Sequence, residues 1–102
     1  MLSYELSIEA DQELEDILDY TLQQFGANQV ITYLEKLMTC FEEVSSESDR
    51  YKSLDRKGKT IRILHCQKHF IFGLERRNLP VLIIAIFHEK MDLMNRIGDR
   101  LK

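Results

Sequence analysis

The feature that most constrains this chain is a change of hydrophobic period near its middle. Up to residue 44 the apolar side chains recur at helical spacing; from residue 60 they alternate or run together. Leu14, Ile17, Leu18, Thr21, Leu22 and Phe25 stand at i, i+3, i+4, i+7, i+8 and i+11, which makes one broad stripe on an amphipathic helix. Asp11, Glu13, Glu15, Asp16 and Asp19 occupy the rest of its surface, and acids early in a helix suit its dipole. Val30, Ile31, Leu34, Leu37, Met38, Phe41 and Val44 form a second stripe. Gly26 is the expected stop of the first helix, because glycine tolerates left-handed backbone, and Asn28 the expected N-cap of the second. A connection of about two residues predicts an antiparallel helical hairpin.

Beyond a polar loop at Ser45 to Asp49 the period becomes that of strands. Thr60 to Cys66, His69 to Glu75 and Leu79 to Phe87 are the predicted strands, with Ile61 and Ile63 facing Phe70, Phe72 and Leu74. Val81 to Phe87 is wholly apolar, as in a strand covered on both faces. Gln67-Lys68 and Arg76-Arg77-Asn78 are short enough for hairpin loops, and Pro80 at a strand entrance costs no ladder bond. Tyr4-Glu5-Leu6-Ser7-Ile8 alternates and predicts a first strand; Asp92 to Leu101 predicts a short helix with Met94, Ile97 and Leu101 on one side. The order predicts an α+β fold in one domain, residues 1–102. An N-terminal strand is followed by an antiparallel helical hairpin packed on a mostly antiparallel four-stranded sheet (β-α-α-β-β-β), with a short C-terminal helix. One layer of helices covers one sheet face; the other face is either polar or covered by a partner.

Composition narrows the function classes. No apolar run approaches the roughly 20 residues of a membrane span. The opening residues have neither a basic segment nor an apolar core of a secretory signal, so the cytoplasm is the expected location. In that compartment Cys40 and Cys66 are expected to be reduced core residues. His65, His69 and His88 do not combine with the cysteines at zinc-site spacing, so no metal and no cofactor is expected. Residues 1–50 carry twelve acidic and two basic side chains, a balance of −10, whereas residues 51–102 carry five and twelve, a balance of +7. Such a split describes either two solvated faces of opposite sign or a basic half that meets an acidic partner.

The sequence resembles the RelE/ParE superfamily of toxins, and within it the ParE branch. The resemblance runs through Tyr4-Glu5-Leu6-Ser7 with Ala10, then Ile17-Leu18-Asp19-Tyr20-Thr21, Phe25-Gly26 and Tyr33. It continues through Ile61-Arg62 and His69-Phe70-Ile71-Phe72 and is clearest at Ile84-Ala85-Ile86-Phe87-His88-Glu89-Lys90-Met91-Asp92. Gly73 departs from the tyrosine that many relatives carry after the second aromatic. The resemblance implies the toxin of a type II toxin–antitoxin, plasmid-stabilisation type of system. Such a toxin inhibits DNA gyrase by binding and is neutralised by a cognate ParD-like antitoxin with an acidic C-terminal segment. It implies no enzyme activity, no membrane partner and no direct sequence-specific contact with nucleic acid.

The residues themselves suit binding. No carboxylate pair, Ser-His-Asp set or glycine-rich phosphate loop is legible. The alternative is a ribosome-dependent mRNA endoribonuclease of the RelE type, with Arg62 and His69 lining its site; the acidic pI of 5.6 argues against it. An inert homologue of the fold is a third reading. Candidate antitoxin or target contacts are Arg56, Lys57, Lys59, Arg62, His69, Arg76, Arg77, His88, Arg96 and Arg100. Each also has a bland reading. Arg62 is either a structural arginine paired with Glu75 or Asp92 or a partner contact, His69 and His88 are hydrogen-bonded structural groups, and the other cations are solvated turns and a basic helix end. Asp92 is expected to cap the last helix.

Overall fold

The computed structural model describes residues 4–47 and 49–102; Met1 to Ser3 and Ser48, the latter in the expected loop, lie outside the described residues. The elements are β1 (Tyr4–Leu6), α1 (Ile8–Phe25), α2 (Ala27–Ser45), β2 (Lys52–Arg56), β3 (Lys59–Cys66), β4 (His69–Leu74), β5 (Val81–His88) and α3 (Leu93–Arg100). The sheet order is β1-β5-β4-β3-β2, antiparallel throughout except that β1 runs parallel to β5. The predicted α+β class holds, with one strand more than the four expected. The extra strand is β2, Lys-Ser-Leu-Asp-Arg, whose single half-buried apolar residue gives too weak an alternation to read. It pairs only with β3, through a tight turn in which Lys57 and Gly58 both take positive φ (54° and 77°), the geometry that matches strand twist.

Ser7 turns the chain from strand to helix. Its N–H bonds Ile83 O at 2.9 Å, and its Oγ accepts the Ala10 N–H at 3.0 Å as the N-cap of α1. Gly26 alone joins the helices, serving as the C-cap of α1 and the N-cap of α2 with φ 89°. Asn28 is therefore already inside α2, not its cap. A side chain at Gly26 is disfavoured because that φ lies where L-residues strain.

The hairpin covers one face of the sheet. Ala10 of α1 and Leu37, Phe41 and Val44 of α2 pack on Tyr4, Leu64, Cys66, Ile71, Val81, Ile83 and Ile86. The buried face is narrower than the two predicted stripes: Leu22, Phe25, Ile31 and Met38 are exposed. The turn end of the hairpin overhangs the sheet, so the apolar positions near Gly26 have nothing beneath them.

The second sheet face is neither polar nor bare. Ile61, Phe72, Ile84, Ala85 and Phe87 form a second core, closed by Ile97 and Leu101 of α3 and its flank. The register Ile61↔Leu74 and Ile63↔Phe72 is the one expected. A bulge shifts the alternation of β5 by one residue: Phe72 faces Ala85 and Gly73 faces Ile83, leaving Ile84 as the extra residue. Before it Val81 and Ile83 point at the hairpin; after it Ile86 and His88 do. Gly73 is forced by packing, since a Cβ there meets Val81 Cγ1 at 2.7 Å.

Cys40 and Cys66 are joined in a disulfide, with Cα atoms 6.3 Å apart. This overturns the expectation of two reduced core cysteines. The chain spacing of 26 residues carried no sign of it; only the crossing of α2 over the end of β3 brings the two together.

Candidate functional site

Where the hairpin overhangs the sheet it leaves a cleft of about 650 Å³ between α1, α2 and the β4 and β5 ends. Asp16, Tyr20 and Phe25 form the α1 wall, Gln29 and Tyr33 the α2 wall, and His69 and His88 the floor, with the exposed Lys36 and Lys68 at the rim. Tyr20 and Phe25 are 62% and 66% exposed at its rim. Two aromatic rings standing free beside a mixed floor describe a place for an apolar anchor with polar neighbours.

The floor is a cluster of hydrogen-bonded and edge-on rings. The Tyr33 hydroxyl lies 2.6 Å from His69 Nδ1, with the rings edge-on at 5.9 Å. His69 and His88 are direct cross-strand partners, and their rings meet edge-on at 5.3 Å. Burial, aided by neighbouring His88 and opposed by Glu89, pushes the His69 pKa down to about 4. Burial likewise raises the Tyr33 hydroxyl above its ordinary range. At neutral pH both are uncharged, and a histidine this weakly basic is poorly matched to general-base work. His88 Nδ1 accepts the Lys90 N–H at 3.1 Å, which orients its ring.

The candidate cations divide into two groups. Arg62 is 7% exposed and wholly engaged. Its Nε donates to Glu75 at 2.9 Å, Nη1 to the Val44 and Ser46 carbonyls at 3.1 and 3.2 Å, and Nη2 to Glu47 at 3.3 Å, while Tyr51 stacks on it at 4.5 Å. It ties the C-terminal end of α2 to the sheet and offers a partner nothing. Asp92 is not its partner. Arg76 donates to Glu5 and to the Pro80 carbonyl, closing the β4–β5 turn against β1. Arg100 donates to Ile84 O at 2.7 Å and to Glu13 at 3.1 Å, while Glu13 accepts the Ile86 N–H at 3.1 Å. That ion pair caps the edge of β5 where β1 has ended. Lys57, Lys59, Arg77 and Arg96 are exposed with no ion-pair partner among the described residues, and Arg56 is half-buried, its guanidinium reaching toward Gly98. Asp92 occupies the N-cap position of α3, but its carboxylate accepts the Asn95 side-chain N–H at 2.7 Å rather than a backbone N–H.

The structure thus brings His69 and His88 into one site and disperses the cations. It adds Tyr20, Phe25, Tyr33, Lys36 and Lys68, which were not singled out as site residues. Tyr33 carried a readable signal: it falls one turn before Leu37 on the buried stripe, where a polar-tipped aromatic needs a partner. Tyr20 and Phe25 carried none, because their exposure depends on where the sheet ends. Among the described residues no three His, Cys, Asp or Glu side chains converge as metal ligands, and no helix is long and apolar enough to cross a membrane.

A helical hairpin laid on one face of a β1-β5-β4-β3-β2 sheet, with a short helix on the other, is the fold of a known class. The chromosomal ParDE TA system from P. aeruginosa matches it with a TM-score of 0.67 over 86% of this chain and 96% of that one, at 13% identity, a likeness of fold alone. The family model described as ParE toxin of type II toxin-antitoxin system, parDE, matches residues 4–93. Toxin ParE of Escherichia coli is 37% identical over 102 residues, all of this chain and 99% of that protein. The chain belongs to the ParE toxin family.

Proposed function

We propose that this toxin inhibits DNA gyrase by binding it, makes and breaks no covalent bond, and acts in the cytoplasm until a cognate antitoxin covers it. The observation that carries the non-catalytic reading is the separation of the groups an RNA-cleaving site needs together. Arg62 pairs across the ladder with Gly73 and His69 with Cys66, four residues farther along β3. That is roughly 13 Å of strand. The guanidinium is locked in carboxylates and carbonyls, and the imidazole is a weak base held by Tyr33. Neither can stabilise the charge that builds on a phosphate under attack.

The cleft and the free cations support the antitoxin half of the reading. An acidic, apolar-anchored antitoxin segment has Tyr20 and Phe25 to pack on and Lys36 and Lys68 at the rim. The exposed Lys57, Lys59 and Arg77 stand at the opposite end of the strands and Arg96 on the helix of the other sheet face, so they add charge only for a partner that extends past the cleft. The test uses the purified chain in two assays, gyrase supercoiling and ribosome-dependent mRNA cleavage. Loss of supercoiling with mRNA intact is expected. Cleaved mRNA with untouched gyrase overturns the proposal in favour of the endoribonuclease reading.

A further inference from the structure

Cys40 lies on α2 and Cys66 closes β3, with Cα atoms 6.3 Å apart, inside the roughly 4.4–6.8 Å range that disulfides occupy. Directly across the ladder from Cys66 stands His69, whose ring is bonded to Tyr33, two helical turns before Cys40 on α2. The helix is therefore fastened to the same end of the β3–β4 hairpin twice, by a hydrogen bond and by a covalent bond about 10 Å apart along its axis. Between the two fastenings the Gln67-Lys68 turn forms the wall shared by the cleft and a more open polar groove; Lys36 and Gln67 line both. Both cysteines line that open groove beside Thr39, Glu43 and His65, Cys66 buried and Cys40 only half-buried. A reagent thus has an approach to one sulfur of the pair.

We propose that Cys40 and Cys66 are a reversible thiol–disulfide exchange site that clamps α2 onto the β3–β4 hairpin and so holds the wall of the cleft. The reversibility rests on the cytoplasmic reading above, since disulfides in a reducing compartment are made and broken rather than permanent. The oxidant is a low-molecular-weight disulfide of the glutathione class. The Cys40 thiolate attacks one of its sulfurs, forms a mixed disulfide and expels one thiol. The Cys66 thiolate then displaces the second thiol and closes the bond. Two protons and two electrons leave the chain, and the external disulfide becomes two thiols; a dithiol reductant of the thioredoxin class reverses both steps. With the bond open, α2 around Cys40 is held by packing, by the Tyr33–His69 contact two turns before it and by the Arg62 bonds to the Val44 and Ser46 carbonyls after it.

The test equilibrates the full chain in oxidised or reduced glutathione, blocks free thiols with an alkylating reagent and weighs the product. Zero blocked thiols in a monomer after oxidation and two after reduction are expected. The melting temperature should fall by roughly 10 °C on reduction. Amide exchange in α2 around Cys40 and in the Gln67-Lys68 turn should quicken at least tenfold, with β5 unchanged. Cys40→Ser should melt at the reduced temperature in both buffers, as should Cys66→Ser. Two blocked thiols after oxidation, disulfides formed only between chains, or a reductant-dependent melting shift that survives in Cys40→Ser each overturn the proposal. None of these results touches the gyrase reading, which the supercoiling assay decides by itself.

Discussion

The two faces of the sheet are covered by very different means. The hairpin face carries two helices of 18 and 19 residues, fastened by a covalent bond, the Arg62 network and a core running from Tyr4 to Ile86. The other face carries one eight-residue helix, seated by Ile97 and Leu101 and latched by Arg100 to Glu13. Both faces bury apolar surface, which is why β5 is apolar at nearly every position. The hairpin face leaves a cleft at its margin. The difference teaches that in this fold the long helices make the scaffold and the cleft together, whereas α3 is seated by few groups, Ile97, Leu101 and the Arg100–Glu13 pair.

The comparison breaks first at Arg62. Arg62→Ala leaves the Val44 and Ser46 carbonyls and Glu75 without their donor, so a loss of about 3 kcal/mol is expected in urea unfolding. A loss under half of that means the network holds the end of α2 less firmly than its geometry implies. Next is Gly73→Ala, whose Cβ meets Val81 at 2.7 Å and pushes β5 away from α2. About 1–3 kcal/mol of destabilisation is expected, and an unchanged midpoint shows that Val81 can turn aside.

The α3 side should respond locally. Arg100→Ala removes the latch and exposes the β5 edge, for a global cost of about 1 kcal/mol. Amide exchange should rise in α3 while α1 and α2 remain protected, and a uniform rise through the chain would make α3 part of the scaffold after all.

Acid should loosen the hairpin face gently. Folded His69 titrates at about 4 against an ordinary 6.5, so between those values the unfolded chain holds a proton that the folded chain lacks. Its contribution is complete above pH 6.5, declines as pH falls and is gone below 4. The groups around it are Tyr33 and Lys36 on α2, Lys68 in the turn, His88 on β5 and Glu89 after it. Because the ring is only half-buried, the slope should stay well below the limiting ~1.4 kcal/mol per pH unit. His69→Gln should flatten this part of the stability profile, and an identical profile removes His69 as its source. The smallest stability effect belongs to Arg77→Glu and Arg96→Glu, expected within about 0.5 kcal/mol of the parent. Their effect should appear instead in weaker binding of an acidic partner, read as a faster dissociation rate at low salt.

The hydrophobic pattern by itself determined the order of every element except β2, the helical hairpin, the register of Ile61 and Ile63 against Leu74 and Phe72, and the double burial of β5. These follow from period and from short turns, which are local properties of the chain. It also carried the ParE resemblance, which the similarity over residues 4–93 bears out. The edge strand β2 was not legible, since one apolar residue in five makes no period. The −10 and +7 halves read as two regions, yet Arg76 and Arg100 pair with Glu5 and Glu13 of the first half, and Arg62 divides its charge between Glu75 and Glu47, one from each half. Charge summed along a chain says nothing of which opposite charges the fold will join. The same holds for Cys40 with Cys66 and for Tyr33 with His69. Only the tertiary structure decided them, because contacts between residues 26 and 36 positions apart depend on where a helix crosses a sheet, and no local spacing encodes that crossing.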